Sequence, residues 1–140
     1  MRGDVFLVED DLDVLEYYRF FLLLEGFTVW AEETNGLRAI ERYRQATHRP
    51  DVIILDHRLP GCNGLTVARE ILRLDPDVPI IFLTADSEAL ERARTLGLRR
   101  LKPKPCDNQR LLSNLIGAVA ERRARAVPRD VAGAPEARPA

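Results

Sequence analysis

The run VIILDHRLPGCNG, residues 52–64, makes the strongest statement about architecture in the chain. Val52, Ile53, Ile54 and Leu55 form an unbroken apolar series, which suits a strand buried on both faces, as strands of a parallel sheet are. The series ends in Asp56. A carboxylate directly after so apolar a run needs a partner or a chemical task, because an unpaired buried charge is very costly.

Similar short runs recur on either side: VFLV (5–8), FTVWA (27–31), DVIIL (51–55), PIIFLT (79–84) and the weaker RRLK (99–102). Five strands are predicted. Between them, apolar residues recur at helical spacing: Leu12, Leu15, Phe20 and Leu23; Leu37, Ile40 and Tyr43; Leu65, Ala68, Ile71 and Leu72. Leu90, Ala93 and Leu96 follow, then Leu111, Leu112, Leu115, Ile116 and Val119. Each series predicts an amphipathic helix. Gly26, Asp75-Pro76 and Gly97 stop the first, third and fourth helices, and Asn35 and Asp86 cap the helices after them. Trp30 and the Phe20–Phe21 pair read as core. Strict alternation of strand and helix implies right-handed βαβ units, hence a doubly wound α/β sheet, mostly parallel, with helices on both faces.

The chain has 140 residues, 46% of them hydrophobic, which suits one domain with a core of its own. That domain is expected over residues 1–126. From 127 to 140 the text becomes VPRDVAGAPEARPA, rich in Ala and Pro without periodicity, and is expected to be a disordered tail or linker. With 21 Lys and Arg against 22 Asp and Glu, the net charge is −1. Bulk charge therefore offers no attraction to nucleic acid or anionic lipid, and neither direct nucleic-acid binding nor membrane association is expected. No apolar run approaches a membrane span, and VFLV is too short for a secretion signal. Cys62 and Cys106 have no metal-site or disulfide-framework spacing. A cytoplasmic location is expected.

In a doubly wound sheet, ligands bind beyond the carboxyl ends of the strands. Strand one ends in Glu9-Asp10-Asp11, strand three in Asp56 and strand four in Thr84, while strand five leads into Lys104-Pro105. Singly, each has a plain explanation: Asp11 as a helix cap, Thr84 as a β-branched strand residue, Lys104 as a solvated charge. Together the acids call for a cation, since carboxylates about 4 Å apart repel by roughly 4 kcal/mol at an effective dielectric near 20. Hard oxygens suit Mg²⁺, with Mn²⁺ as a substitute, and Lys104 and Thr84 suit phosphoryl oxygens.

The motifs VEDD (8–11), ILDHRLPGCNG (54–64), FLTA (82–85) and the Lys104-Pro105 pair, in this order and each at a strand end, resemble the receiver domain of two-component response regulators. The resemblance covers about residues 3–124. It implies the flavodoxin-like, CheY-like fold: five parallel strands in the order 2-1-3-4-5, flanked by five helices. It implies Asp56 as phosphoacceptor, and Glu9, Asp10, Asp56 and the main-chain carbonyl of Arg58 as Mg²⁺ ligands. Thr84 would follow the phosphoryl group, Lys104 would pair with it, and Pro105 would be the cis proline. The donor would be a histidine kinase, a histidine phosphotransfer protein or a small phosphodonor. An output protein not identifiable from sequence would read the result, and a homodimer would form through the helix 4, strand 5, helix 5 face. Such a module assists its own phosphorylation and dephosphorylation without being an enzyme in the ordinary sense.

The chain departs from the family pattern at Leu101, where an aromatic residue is common. Leu101 is read mainly as a packed strand residue, with a minority reading in which the domain relays phosphate rather than switching an output face strongly. Lys102 and Lys104 bracket Pro103, and Lys104 is taken as the functional lysine because it keeps the strand register and the Asp107 cap in place. His57 and His48 read as packing or solvent residues. Arg58, two places after Asp56, would orient water or shield the phosphoryl group. Two alternatives remain open: a metal-dependent aspartyl phosphohydrolase, disfavoured because Arg58 stands where its second Asp belongs, and a receiver used only for binding. Whether the chain stands alone or belongs to a longer regulator or hybrid kinase is open.

Overall fold

The structure is a computed structural model and describes residues 2–133. Five strands, β1 (Asp4–Val8), β2 (Thr28–Glu33), β3 (Val52–Asp56), β4 (Ile80–Thr84) and β5 (Arg100–Pro103), alternate with five helices: α1 (Leu12–Leu24), α2 (Gly36–Gln45), α3 (Gly64–Leu74), α4 (Ser87–Leu96) and α5 (Asn108–Gly133). The strands form one sheet in the order β2-β1-β3-β4-β5, every pair parallel. The predicted fold class and strand order are those observed.

The period-two alternation of the strands divides the core. Phe6, Val8, Ile53, Leu55, Ile80 and Phe82 point to one face, where α2, α3 and α4 cover them with residues such as Tyr43, Val67, Ile71 and Ala93. Val5, Leu7, Val52, Ile54, Ile81 and Leu83 point to the other, under Leu15, Phe21 and Leu22 of α1 and Leu111, Leu115 and Val119 of α5. Both faces of β3 and β4 are therefore buried, which is why these strands carry no polar residue before their ends. Each such side chain contributes roughly 1.5–3 kcal/mol on burial.

Short polar side chains start the helices. Asp11 accepts from the amides of Asp13 and Val14, Asn35 from Leu37 and Arg38, Asn63 from Thr66, and Asp86 from Glu88 and Ala89. α4 ends at Gly97, whose φ of 102° is the left-handed conformation that glycine adopts without strain. Gly64 opens α3 so close to β3 that a Cβ there would lie 2.2 Å from the Asp56 carbonyl oxygen. Only glycine lets the helix begin that near the strand end.

Several expectations about side chains require correction. The spacing put Leu12, Phe20 and Leu23 of α1 on the inner face, and both residues of the Phe20–Phe21 pair in the core. Instead Leu15, Tyr18, Phe21 and Leu22 are buried, while Leu12, Phe20 and Leu23 are 69%, 64% and 59% exposed. α1 is apolar nearly all round, so several helical periods fit its text and packing against the sheet selects one. Leu37, in the first turn of α2, is likewise exposed, whereas Ile40 and Tyr43 are buried, and Ile116 of α5 is exposed beside the buried Leu111, Leu115 and Val119. Trp30 is half-buried and meets Phe6 edge to face at 5.0 Å. The boundary expected at residue 126 falls within the backbone of α5, which continues to Gly133, and residues 134–140 of the expected tail lie outside the described residues.

Candidate functional site at the carboxyl ends of the strands

Parallel pairing brings the ends of β1, β3, β4 and β5 to one edge, and the polar residues that follow the apolar runs collect there. Glu9 and Asp56 are 2% and 7% exposed, and Asp10 beside them is exposed. One carboxylate oxygen from each of Glu9, Asp10 and Asp56 lies within 4.8 Å of the others. Asp11, the fourth acid of the sequence cluster, turns away to cap α1.

Lys104 reaches into this group from beyond β5. Its Nζ donates to Glu9 Oε1 at 3.0 Å and lies 3.4 Å from Asp56 Oδ1. It is Lys104, not Lys102, whose ammonium meets the acids. Burial pushes the Glu9 and Asp56 carboxyls above the ordinary carboxylate range, and Lys104 only partly opposes this. Burial would lower the lysine itself, but its bond to Glu9 and the nearby Asp56 hold it above its ordinary value. Three carboxylates against one ammonium leave an excess of negative charge on hard oxygens, a donor set that fits a small divalent cation.

The remaining predicted residues frame the edge. Thr84 is 2% exposed, its Oγ1 accepts from the Asp86 amide at 3.2 Å, and its carbonyl accepts from the Lys104 amide at 3.0 Å. The Lys104–Pro105 peptide is cis. Arg58 is exposed on the loop after Asp56 and lines an open cleft of about 520 Å³ with Asp10, His57 and Asp86. Leu101 pairs with Phe82 in the β4–β5 register and packs against the core under α2–α4.

His57 packs, as one of its two readings from sequence has it, and two further features carry no sequence motif. His57 is half-buried with its ring edge toward Phe82 at 5.9 Å, and its Nδ1 is buried without a hydrogen-bond partner. Tyr18, from the inner face of α1, lines a cleft beside Lys104 and Cys106. At the opposite edge of the sheet Asp75 accepts two hydrogen bonds from Arg122, at 2.6 and 3.0 Å, and one from Tyr43 at 2.6 Å. The last two follow from helix facing and long-range packing, which no local motif encodes.

The family model of the response regulator receiver domain matches residues 5–116. The transcriptional regulatory protein CreB of Escherichia coli is 40% identical over 91 residues, 65% of this chain and 38% of CreB. The chain thus spans less than half the length of that relative. Among solved structures, a response regulator receiver domain protein from Clostridium thermocellum superposes with a TM-score of 0.80 at 21% identity, covering 87% of this chain and 98% of that one. The receiver domain of sensor histidine kinase PA1611 from Pseudomonas aeruginosa, with a magnesium ion coordinated in its active-site cleft, gives a TM-score of 0.75 at 27% identity, covering 84% and 98%. No helix among the described residues is long and apolar enough to cross a membrane. The acidic edge and its lysine lie on a sheet of the same order as these domains have, and over four fifths of its length the chain belongs to the response regulator receiver domain family, the signalling modules of two-component systems.

Proposed function

We propose that Asp56 accepts a phosphoryl group from a phosphohistidine on a histidine kinase or histidine phosphotransfer protein. The observation that carries this is the convergence of Glu9, Asp10 and Lys104 on a buried Asp56 at the strand edge. In the transfer an Asp56 carboxylate oxygen bonds to phosphorus, the P–N bond breaks, and the imidazole leaves with the electron pair. Water later attacks the acyl phosphate and releases inorganic phosphate, restoring the carboxylate. Glu9, Asp10, Asp56 and the Arg58 carbonyl would hold Mg²⁺, which neutralises charge on the phosphoryl oxygens when bound. Lys104 screens the same charge from the other side, and the Thr84 hydroxyl donates to a phosphoryl oxygen. Arg58, on the rim of the cleft, governs access of water. Arg58→Ala therefore changes the lifetime of the acyl phosphate, and an unchanged lifetime would remove it from the account.

The domain works as a cytoplasmic signalling module rather than as a turnover enzyme, read by an output protein through contact. The DNA-binding or transcriptional roles in the relatives' names belong to those longer proteins. Self-association through the α4–β5–α5 face is the dimer expected for this fold. The test is intact mass after incubation with acetyl phosphate and Mg²⁺. A gain of one phosphoryl group, absent in Asp56→Asn and with EDTA, supports the reading; turnover of a small phosphate ester at enzyme rates would favour an aspartyl phosphohydrolase instead.

A further inference from the structure

The chain has three tyrosines, and their hydroxyls divide into two kinds. Tyr43 donates to Asp75 Oδ2 at 2.6 Å and Tyr17 donates to Asn108 Oδ1. Tyr18 has its ring in the core between α1 and α5, 8% exposed, yet its hydroxyl bonds to no other described residue. Nor is that hydroxyl sealed in. Tyr18 shares with Val14, Tyr17, Lys104, Pro105 and Cys106 the wall of a cleft of about 700 Å³ between α1 and the β5–α5 loop. Burial, then the charges of Glu9 and Asp56, hold its proton well above the ordinary phenol range, so it is a neutral donor.

The acids at this edge already have partners of their own. Lys104 and the Asp11 amide occupy Oε1 and Oε2 of Glu9, and Lys104 lies against Asp56 Oδ1. A phosphoryl group on Asp56 adds up to two negative charges and three strong acceptor oxygens. Leu101 on β5 has neither ring nor hydroxyl with which to answer that change.

We propose that Tyr18 is the aromatic residue that registers phosphorylation: once Asp56 carries its phosphoryl group, the Tyr18 hydroxyl donates toward it, directly or through one water, and ties α1 and the β5–α5 loop to the phosphorylated state. The inference rests on the phosphoacceptor reading of Asp56. Tyr18 makes or breaks no bond in this scheme; it binds the transferred group once it is in place.

The experiment compares the full chain with Tyr18→Phe, which keeps the ring and removes the hydroxyl, using beryllofluoride with Mg²⁺ as the phosphoryl stand-in. Loss of one hydrogen bond to a charged group predicts a beryllofluoride Kd roughly tenfold higher and an acyl-phosphate half-life shortened by a similar factor. Mg²⁺ affinity and the urea midpoint stay unchanged, which a merely structural role would not produce. In the wild type labelled at tyrosine ¹³Cζ, the resonance absent from Tyr18→Phe shifts when beryllofluoride is added. Equal Kd and half-life in the two proteins, or an unmoved Tyr18 resonance, would overturn the assignment to Tyr18 alone. A wild type that neither gains mass from acetyl phosphate nor binds beryllofluoride would overturn the phosphoacceptor reading and this inference with it.

Discussion

The two edges of the sheet each hold carboxylates withdrawn from solvent, half-buried at one and buried at the other, and they treat them in opposite ways. At the amino edge Asp75, the cap of α3, is held by Arg122 through two hydrogen bonds and by the Tyr43 hydroxyl, while Arg122 also donates to the Pro50 carbonyl. Arg49 lies over the Tyr43 ring at 5.1 Å and donates to the Leu74 carbonyl. Burial alone would raise Asp75, but these partners overcome it and hold the carboxyl below its ordinary range. At the carboxyl edge burial wins over Lys104, and Glu9 and Asp56 are raised. A carboxylate matched by its partners ties α2, α3 and α5 together; a group of acids with one lysine among them keeps an excess of negative charge that could hold a metal ion.

The largest effect that would break this contrast lies at the amino edge. Arg122→Ala strands Asp75 among half-buried neighbours, and loss of one partner of a buried pair costs about 3–5 kcal/mol. Urea unfolding measures it, and a loss below 1 kcal/mol would demote the network to a surface ion pair. Asp56→Asn should do the reverse at the carboxyl edge, because it removes a charge that the fold destabilises. In metal-free buffer its stability rises, because the amide does not carry the charge whose burial opposes folding of the wild type. Mg²⁺ then raises the Tm of the wild type more than that of the variant. A less stable Asp56→Asn would mean that Lys104 satisfies the site by itself.

The pH dependence sharpens the same comparison. Because the folded Asp75 carboxyl titrates below its unfolded value near 3.9, its contribution is fully present above that pH and is lost as pH falls through the folded value. Asp75→Asn should flatten that part of the acid limb in urea midpoints measured between pH 5 and the acid transition. An unchanged limb would assign acid sensitivity to other carboxylates. The smallest effect concerns neither edge: Phe20→Ser on the exposed side of α1 should change stability by less than about 0.5 kcal/mol, since surface substitutions seldom do more. A larger loss would return Phe20 to the core.

Sequence carried the fold and the carboxyl edge further than the amino edge, for physical reasons. VIILD and IIFLT announce strands buried on both faces because no polar residue interrupts them before their ends, and the acids, Thr84 and Lys104 follow those ends directly. Position in a parallel sheet then brings them together without knowledge of any long-range contact. Asp75 and Arg122 are 47 residues apart on elements whose rotation about their axes no local pattern states, so their pairing was not legible. α1 failed for a related reason: with LDVLEYYRFFLLL almost every face is apolar, and Tyr18 comes inside while Phe20 does not only because the sheet demands one rotation.

The most direct measurement traps the acyl phosphate chemically. The protein is incubated with acetyl phosphate and Mg²⁺, reduced with borohydride, digested and sequenced by mass spectrometry, so that a phosphorylated aspartate is read as homoserine. The account predicts homoserine at position 56 and none at Asp10 or Asp11. Homoserine at another aspartate, or at none while phosphohistidine donors also fail to label the chain, would contradict it.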